Sequence, residues 1–270
     1  MGLRSWLMRM TGQSGPVIPV VRLHGVITAE PRPGRLNIET VAPLLRRAFA
    51  DKSAPAVAII VNSPGGSAVQ SRLIAKRIRD LATENGKPVL VFVEDAAASG
   101  GYFIATAGDE IIADPSSIVG SIGVIFAGFG FVGALEKLGV ERRVHTAGRN
   151  KSTMDPFLPE KAEDVERIKA LETDVHQVFI DWVKQRRGGR LSTATDLFTG
   201  EFWSGVRALE LGLVDGLGDV RDTLRARYGH KVELRLIAPK RGLFQLPRLG
   251  IAAELAAAVE DRAHWTRFGL

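Results

Sequence analysis

Three short stretches hold the residue types that could do chemistry. They are Ser63-Pro64-Gly65-Gly66, Ala98-Ser99-Gly100-Gly101-Tyr102, and Lys151 within Ala147-Gly148-Arg149-Asn150-Lys151-Ser152. Together they suggest a serine nucleophile, an oxyanion site and a lysine base. A serine hydroxyl attacks a carbonyl only when a base removes its proton, and the candidates in this chain are a histidine or a lysine. A lysine amine is charged near neutrality and serves as a base only where apolar burial favours its neutral form. The uncharged run from Pro115 to Leu135, and Met154, Phe157 and Leu158 just after Lys151, offer such surroundings. Each stretch also has a plainer reading. Ser99 suits a helix N-cap, Gly65-Gly66 a tight turn after Pro64, Gly100-Gly101 close helix–strand packing, and Lys151 a solvated loop. Taken jointly, two glycine-rich strand ends and a downstream lysine favour catalysis.

The elements around these residues are legible from periodicity. Each glycine pair follows a strand-like run, Val57 to Asn62 or Val89 to Val93, and precedes a helix-like run. Backbone amides at such turns point outward and can bind developing negative charge. Upstream, strands are predicted at Val17 to Val21 and Val26-Ile27, then a helix capped by Asn37 through Phe49. Downstream come a helix over Ala68 to Leu81, strands at Ile111-Ile112 and Ile122 to Phe126, a helix ending near Leu138, and a strand at Arg143 to Thr146. Uniformly apolar strands alternating with helices imply an α/β fold whose mainly parallel sheet is buried on both faces. Residues 159 to 187 carry the longest helical pattern, with Val165, Ile168, Leu171, Val175, Val178, Phe179, Trp182 and Val183 recurring at three- and four-residue steps and His176 in a structural position. A helix over Val206 to Leu211, a strand at Val232 to Ile237 and a terminal helix at Ile251 to Glu260 complete the reading. The stretch Pro115 to Leu135 is long enough to span a bilayer, but its five glycines favour buried core or an interior groove.

Composition narrows the class. With 270 residues, 45% hydrophobic and 24% charged, the chain can bury a sizeable core. It has no cysteine, which excludes disulfides, thiolate catalysis and zinc–thiolate sites. Its five histidines form no metal-binding spacing, so neither metal nor cofactor is expected. A triad built on His145 is a minor alternative to the lysine base. The net charge of +6 equals the excess of eight basic over two acidic residues in 221–248. That stretch reads first as a solvated face, with weak contact to anionic membrane as the alternative; no nucleic-acid motif accompanies it. Residues 1 to 15 lack the features of a span or secretory signal, but Leu3, Trp6, Leu7 and Met10 could line one face of a surface-attaching helix. A cytoplasmic place, or one peripheral to the inner membrane, is favoured.

The order of these motifs resembles a known family. Ser-Pro-Gly-Gly at 63–66, Ser-Gly-Gly-Tyr at 99–102, Gly-Ser-Ile-Gly-Val at 120–124, Lys151 with its following serine, and the Ala208 to Gly218 stretch are similar to the S49 signal peptide peptidases. These are SppA-type serine peptidases of the Clp/crotonase fold. The resemblance covers about residues 17 to 237. It implies Ser99 as nucleophile, Lys151 as general base, Ser121 as the group orienting the lysine amine, and the amides of Gly66 and Gly100 as the oxyanion hole. It further implies a homo-oligomeric ring in which serine and lysine can meet across neighbouring domains or subunits, acting on leftover signal peptides or other unfolded, hydrophobic peptides. The expected organisation is a tail at 1–15, a peptidase domain at 16–237, and a linker and C-terminal helix at 238–270. Two other readings are a crotonase-like acyl-CoA enzyme and a non-catalytic ring scaffold or membrane-surface adaptor.

Overall fold

A computed structural model describes residues 15–32, 34–239 and 262–270. The expected 1–15 tail, apart from its last residue, and the helix at Ile251 to Glu260 lie outside the described residues.

The chain begins as strand-helix alternation. Strand β1 (Val17–His24) leads to helix α1 (Ile38–Phe49), β2 (Val57–Ser63), α2 (Ala68–Asn85), β3 (Val89–Ala98), the short α3 (Gly100–Ala105) and β4 (Glu110–Ala113). Strands β1, β2, β3 and β4 lie side by side and parallel, with Val20 opposite Ala58, Ile59 opposite Val91, and Val91 opposite Ile111. Such connections require a crossover, which the helices supply. Then follow β5 (Ile118–Gly120), α4 (Val132–Leu138), α5 (Ala162–Arg187), β6 (Phe202–Ser204), α6 (Gly205–Glu210), β7 (Gly216–Leu217), α7 (Val220–Tyr228) and β8 (Glu233–Leu236). The main sheet path runs β6-β5-β3-β2-β1-β8, and β4 and β7 extend from the other end of β3. The β5–β6 pair is antiparallel.

Alternation along the central strands divides the core in two. Val21, Leu23, Val57, Ile59, Val61, Val89, Val91 and Val93 join a large cluster with residues of α1, α2, α3 and α5. Their neighbours Ile18, Val20, Ala58, Ile60, Leu90 and Phe92 turn to the opposite face, under Leu224 of α7. A strand buried on both sides must be apolar at every position, which is why these runs do not alternate with polar residues. Truncating one of these side chains to alanine typically costs ~2–5 kcal/mol.

Local signals place the helices. Asn37 caps α1 by accepting from the Thr40 amide at 2.9 Å while the Thr40 hydroxyl accepts from the Asn37 amide at 3.4 Å. Gln70 of α2 accepts from the Ile38 amide at 2.9 Å, tying the starts of α1 and α2 together. Helix α5 packs mainly through its C-terminal half, where Phe179, Val183 and Arg187 are buried and Trp182 stacks on Phe103 with ring centroids 5.4 Å apart.

Three expectations change here. Val26-Ile27 is not a strand: Ile27 makes only isolated bridges, to Leu36 and Gly66. No strand forms at Ile122 to Phe126; the strand here is β5, which lies between β3 and β6 and ends at Gly120, and the chain then runs irregularly to Phe131. Ser121 explains the break, because its φ of 52° takes the backbone out of the extended region and the Gly123 amide turns back to its carbonyl at 3.0 Å. The strand expected at Arg143 to Thr146 is also irregular. The uncharged stretch is core only as far as Ile122, and Ile125, Phe126, Phe129 and Phe131 beyond it are exposed. No helix among the described residues is long and apolar enough to cross a membrane.

Candidate active site

The site forms where β1, β2 and β3 end side by side. Parallel strands deliver all their C-terminal ends to one edge of the sheet, so three loops distant in sequence meet there. The turn after β2 is pinned to the loop after β1: the Ile27 amide donates to the Gly65 carbonyl at 2.8 Å, and the Ser67 amide to the Ile27 carbonyl at 2.8 Å. The turn after β2 also abuts Ser99. A Cβ on Gly65 would lie 2.8 Å from the Ser99 Cβ, and one on Gly66 would lie 2.1 Å from the Ile27 carbonyl oxygen. With φ values of 104° and 135°, only glycine fits both the conformation and the space.

Ser99 sits between β3 and α3 with φ 51° and ψ −120°. This sharp strand-to-helix elbow is the strained geometry that lifts a nucleophile clear of its sheet. The N-cap reading does not hold, because the Ser99 side chain makes no capping hydrogen bond. Its backbone is fixed instead by the Ser99 amide donating to the Gly120 carbonyl at 2.8 Å and by the Phe103 amide donating to the Ser99 carbonyl at 3.0 Å. The half-buried hydroxyl has no partner among the described residues. The amides of Gly66 and Gly100 likewise donate to no carbonyl among the described residues. Unengaged amides on either side of a serine suit a developing oxyanion.

Ser121 follows Gly120 directly and is therefore held beside the elbow. It is 5% exposed, its amide donates to the Glu201 carbonyl at 2.7 Å, and its hydroxyl has no partner among the described residues. His176 has the structural role expected of it: its Nε2–H donates to the Ile122 carbonyl at 3.0 Å and steadies the segment after Ser121. Lys151 is placed differently. It lies exposed in a turn, its amide donates to the Gly148 carbonyl at 3.2 Å, and it does not line the cavity that contains Ser99. His145 is exposed and also outside that cavity.

The cavity has a volume of about 780 Å³. Ile27, Phe103, Val124, Val175 and Phe179 make its walls apolar, with Ser99, Gly66 and Gly100 on one side. His264 and Arg267 of the C-terminal segment also reach it. That segment is anchored by Phe268 against Phe202, ring centroids 5.0 Å apart, and by Trp265 stacked on His24 at 6.0 Å. Nothing in the sequence pattern signals its return to the site, since the aromatic anchors carry no periodicity that points to a partner.

Sheet order, crossover helices and elbow define a protein of the Clp/crotonase-like class. The fold is similar to that of the 1510-N membrane-bound stomatin-specific protease, whose variant in complex with a substrate peptide aligns over 92% of this chain and 99% of its own, with 19% identity and a TM-score of 0.52. The model of peptidase family S49 matches residues 82–233, more than half of the sequence. The chain belongs to peptidase family S49. Protease 4 of Salmonella typhi is 32% identical over 229 residues, which cover 80% of this chain and 35% of that protein. A Brucella abortus protein named Na(+)/H(+) antiporter NhaA is 59% identical over 271 residues, covering 94% of this chain and 37% of that protein. The chain thus spans little more than a third of the length of these relatives.

Proposed function

We propose that this chain is a serine endopeptidase with a Ser99–Lys151 dyad, acting on extended hydrophobic peptides such as leftover signal peptides or unfolded segments. The observation that carries the reading is the Ser99 elbow between the unengaged amides of Gly66 and Gly100, opening on an apolar cavity. In the proposed cycle the neutral Lys151 amine takes the Ser99 proton as Oγ attacks the peptide carbonyl. The oxyanion is held by the two amides, the lysine returns its proton to the leaving nitrogen, and an acyl-enzyme remains. Water, deprotonated by the same amine, then releases the acid and restores Ser99. Ser121, whose buried hydroxyl has no partner among the described residues, would orient the amine in that cycle.

Lys151 reaches the elbow from a neighbouring copy. Two features support this: its exposed position outside the cavity, and the apolar surface on the segments that flank it in sequence, where Phe129 is 82% exposed and lies tilted to Phe131, itself stacked on Phe157. A patch of this kind on a protein of ordinary composition favours self-association, and assembly would remove the lysine from water.

Ser99→Ala and Lys151→Ala should each abolish hydrolysis of an apolar fluorogenic peptide. Mixing the two inactive proteins should restore a fraction of wild-type activity, because some junctions then combine an intact serine with an intact lysine. Substantial hydrolysis by either variant alone refutes the dyad, and a mixture that stays inactive refutes pairing between copies.

A further inference from the structure

The mechanism uses the apolar walls of the cavity and leaves its charged rim unexplained. Among the described residues, four arginines border the cavity, Arg32, Arg35, Arg72 and Arg267, against the one carboxylate of Glu30. That carboxylate already accepts from Arg32 at 2.7 Å. Arg72 and Arg267 are exposed and form no ion pair with any described residue. Arg267 lies 5.7 Å from the Phe268 ring, whose burial fixes the segment that carries it.

The position of Arg72 is informative. It lies early in α2, an 18-residue helix with no acidic residue in its first turn. The start of that helix, Ser67 and Ala68, faces the same cavity. Two guanidinium groups and the start of a helix therefore border an apolar cleft that holds, among the described residues, one negative group, already engaged. Arginine is suited to carboxylates because its planar fork can bond both oxygens.

We propose that the cleft reads a carboxylate on its peptide substrates, with Arg72 and Arg267 as the specificity-determining residues. The group is either an acidic side chain flanking the apolar stretch or the free C-terminus of the peptide. This inference rests on the reading that the cleft holds the substrate, but not on turnover.

The test is therefore binding to the Ser99→Ala protein, followed by fluorescence anisotropy. Four labelled peptides share one apolar sequence: a C-terminal amide, the same amide with one Glu, the same amide with one Lys, and the free acid. At low salt the Glu peptide, the free acid or both should bind roughly tenfold more tightly than the neutral amide, from two exposed charge pairs. The tighter of the two identifies the source of the carboxylate. The preference should shrink toward unity in 1 M salt. Adding R72Q and R267Q should remove it, and R72E with R267E should reverse it toward the Lys peptide. Equal binding of all four, or a preference that survives these substitutions or high salt, overturns the proposal. Failure of the peptidase reading shows separately, as a wild-type Ser99 that does not react with a fluorophosphonate.

Discussion

Gly66→Ala tests the oxyanion site at the point where the backbone leaves least room. The added Cβ would lie 2.1 Å from the Ile27 carbonyl oxygen and 2.9 Å from its carbon, where ordinary contacts begin near ~3.5 Å. The φ of 135° adds strain of roughly 1–3 kcal/mol for a residue with a side chain. The turn must therefore rotate away from Ile27, weakening the 2.8 Å bond from the Ser67 amide to the Ile27 carbonyl and carrying the Gly66 amide off its aim. Loss of one oxyanion donor slows turnover on the order of 100- to 1,000-fold, about 3–4 kcal/mol of transition-state stabilisation. Turnover per folded molecule, with the folded fraction taken from thermal melting, separates this from general destabilisation. Leu224→Ala is the control: this residue is fully buried on the opposite face of the sheet, and its truncation should cost ~2–5 kcal/mol with turnover per folded molecule unchanged. A folded Gly66→Ala protein turning over within a few-fold of wild type would refute the role of this amide.

Two further predictions concern the frame that holds the site. Arg187 is 2% exposed, donates to the Gly212 carbonyl at 2.7 Å and pairs with Asp215 at 2.7 Å. Burial alone would raise the Asp215 carboxyl, but bonding and charge from Arg187, with the Ile111 amide and Arg190, hold it below its ordinary value. Asp215→Asn strands the buried guanidinium and should cost roughly 3–5 kcal/mol in denaturant unfolding, with Asp215→Ala no milder; a loss below 1 kcal/mol would contradict this. Asp51 accepts from the Ser53 hydroxyl at 2.7 Å and from Arg235 of β8 at 2.6 Å, and these bonds hold its carboxyl at about 2. The unfolded carboxyl titrates near ~3.9, so its stabilisation is complete above that pH and is lost as pH falls toward 2. Asp51→Asn should lower stability at pH 7 by on the order of 1 kcal/mol, allowing for solvent screening, and flatten the acid limb between pH 4 and 2. An unchanged acid limb would show that the carboxylate does not tie β8 down.

Much of this site was legible in the residues because parallel strands make it so. Once Val57 to Asn62 and Val89 to Val93 read as adjacent buried strands, the glycine pair after one and Ser99 after the other had to emerge at the same sheet edge. Asn37 and the α1 boundaries followed from local capping, and the long helix from its apolar stripe. Legibility failed where the controlling interaction is not local. The apolar residues from Val124 to Phe131 look like strand or core, yet the positive φ of Ser121 turns the chain out of the sheet and leaves most of them exposed. The C-terminal segment reaches the cavity through pairings such as Phe268 with Phe202, which no sequence periodicity encodes. Lys151 lies between these cases: its motif marks it as chemical, while a single copy of the chain leaves it in water.

The central claim is that Ser99 is an activated nucleophile in the assembled protein, and labelling by a fluorophosphonate followed by peptide mapping tests it most directly. The account predicts one adduct per chain, on the peptide bearing Ser99, absent in Ser99→Ala and strongly slowed in Lys151→Ala. An unlabelled wild-type protein, or label that persists in Ser99→Ala, would contradict it.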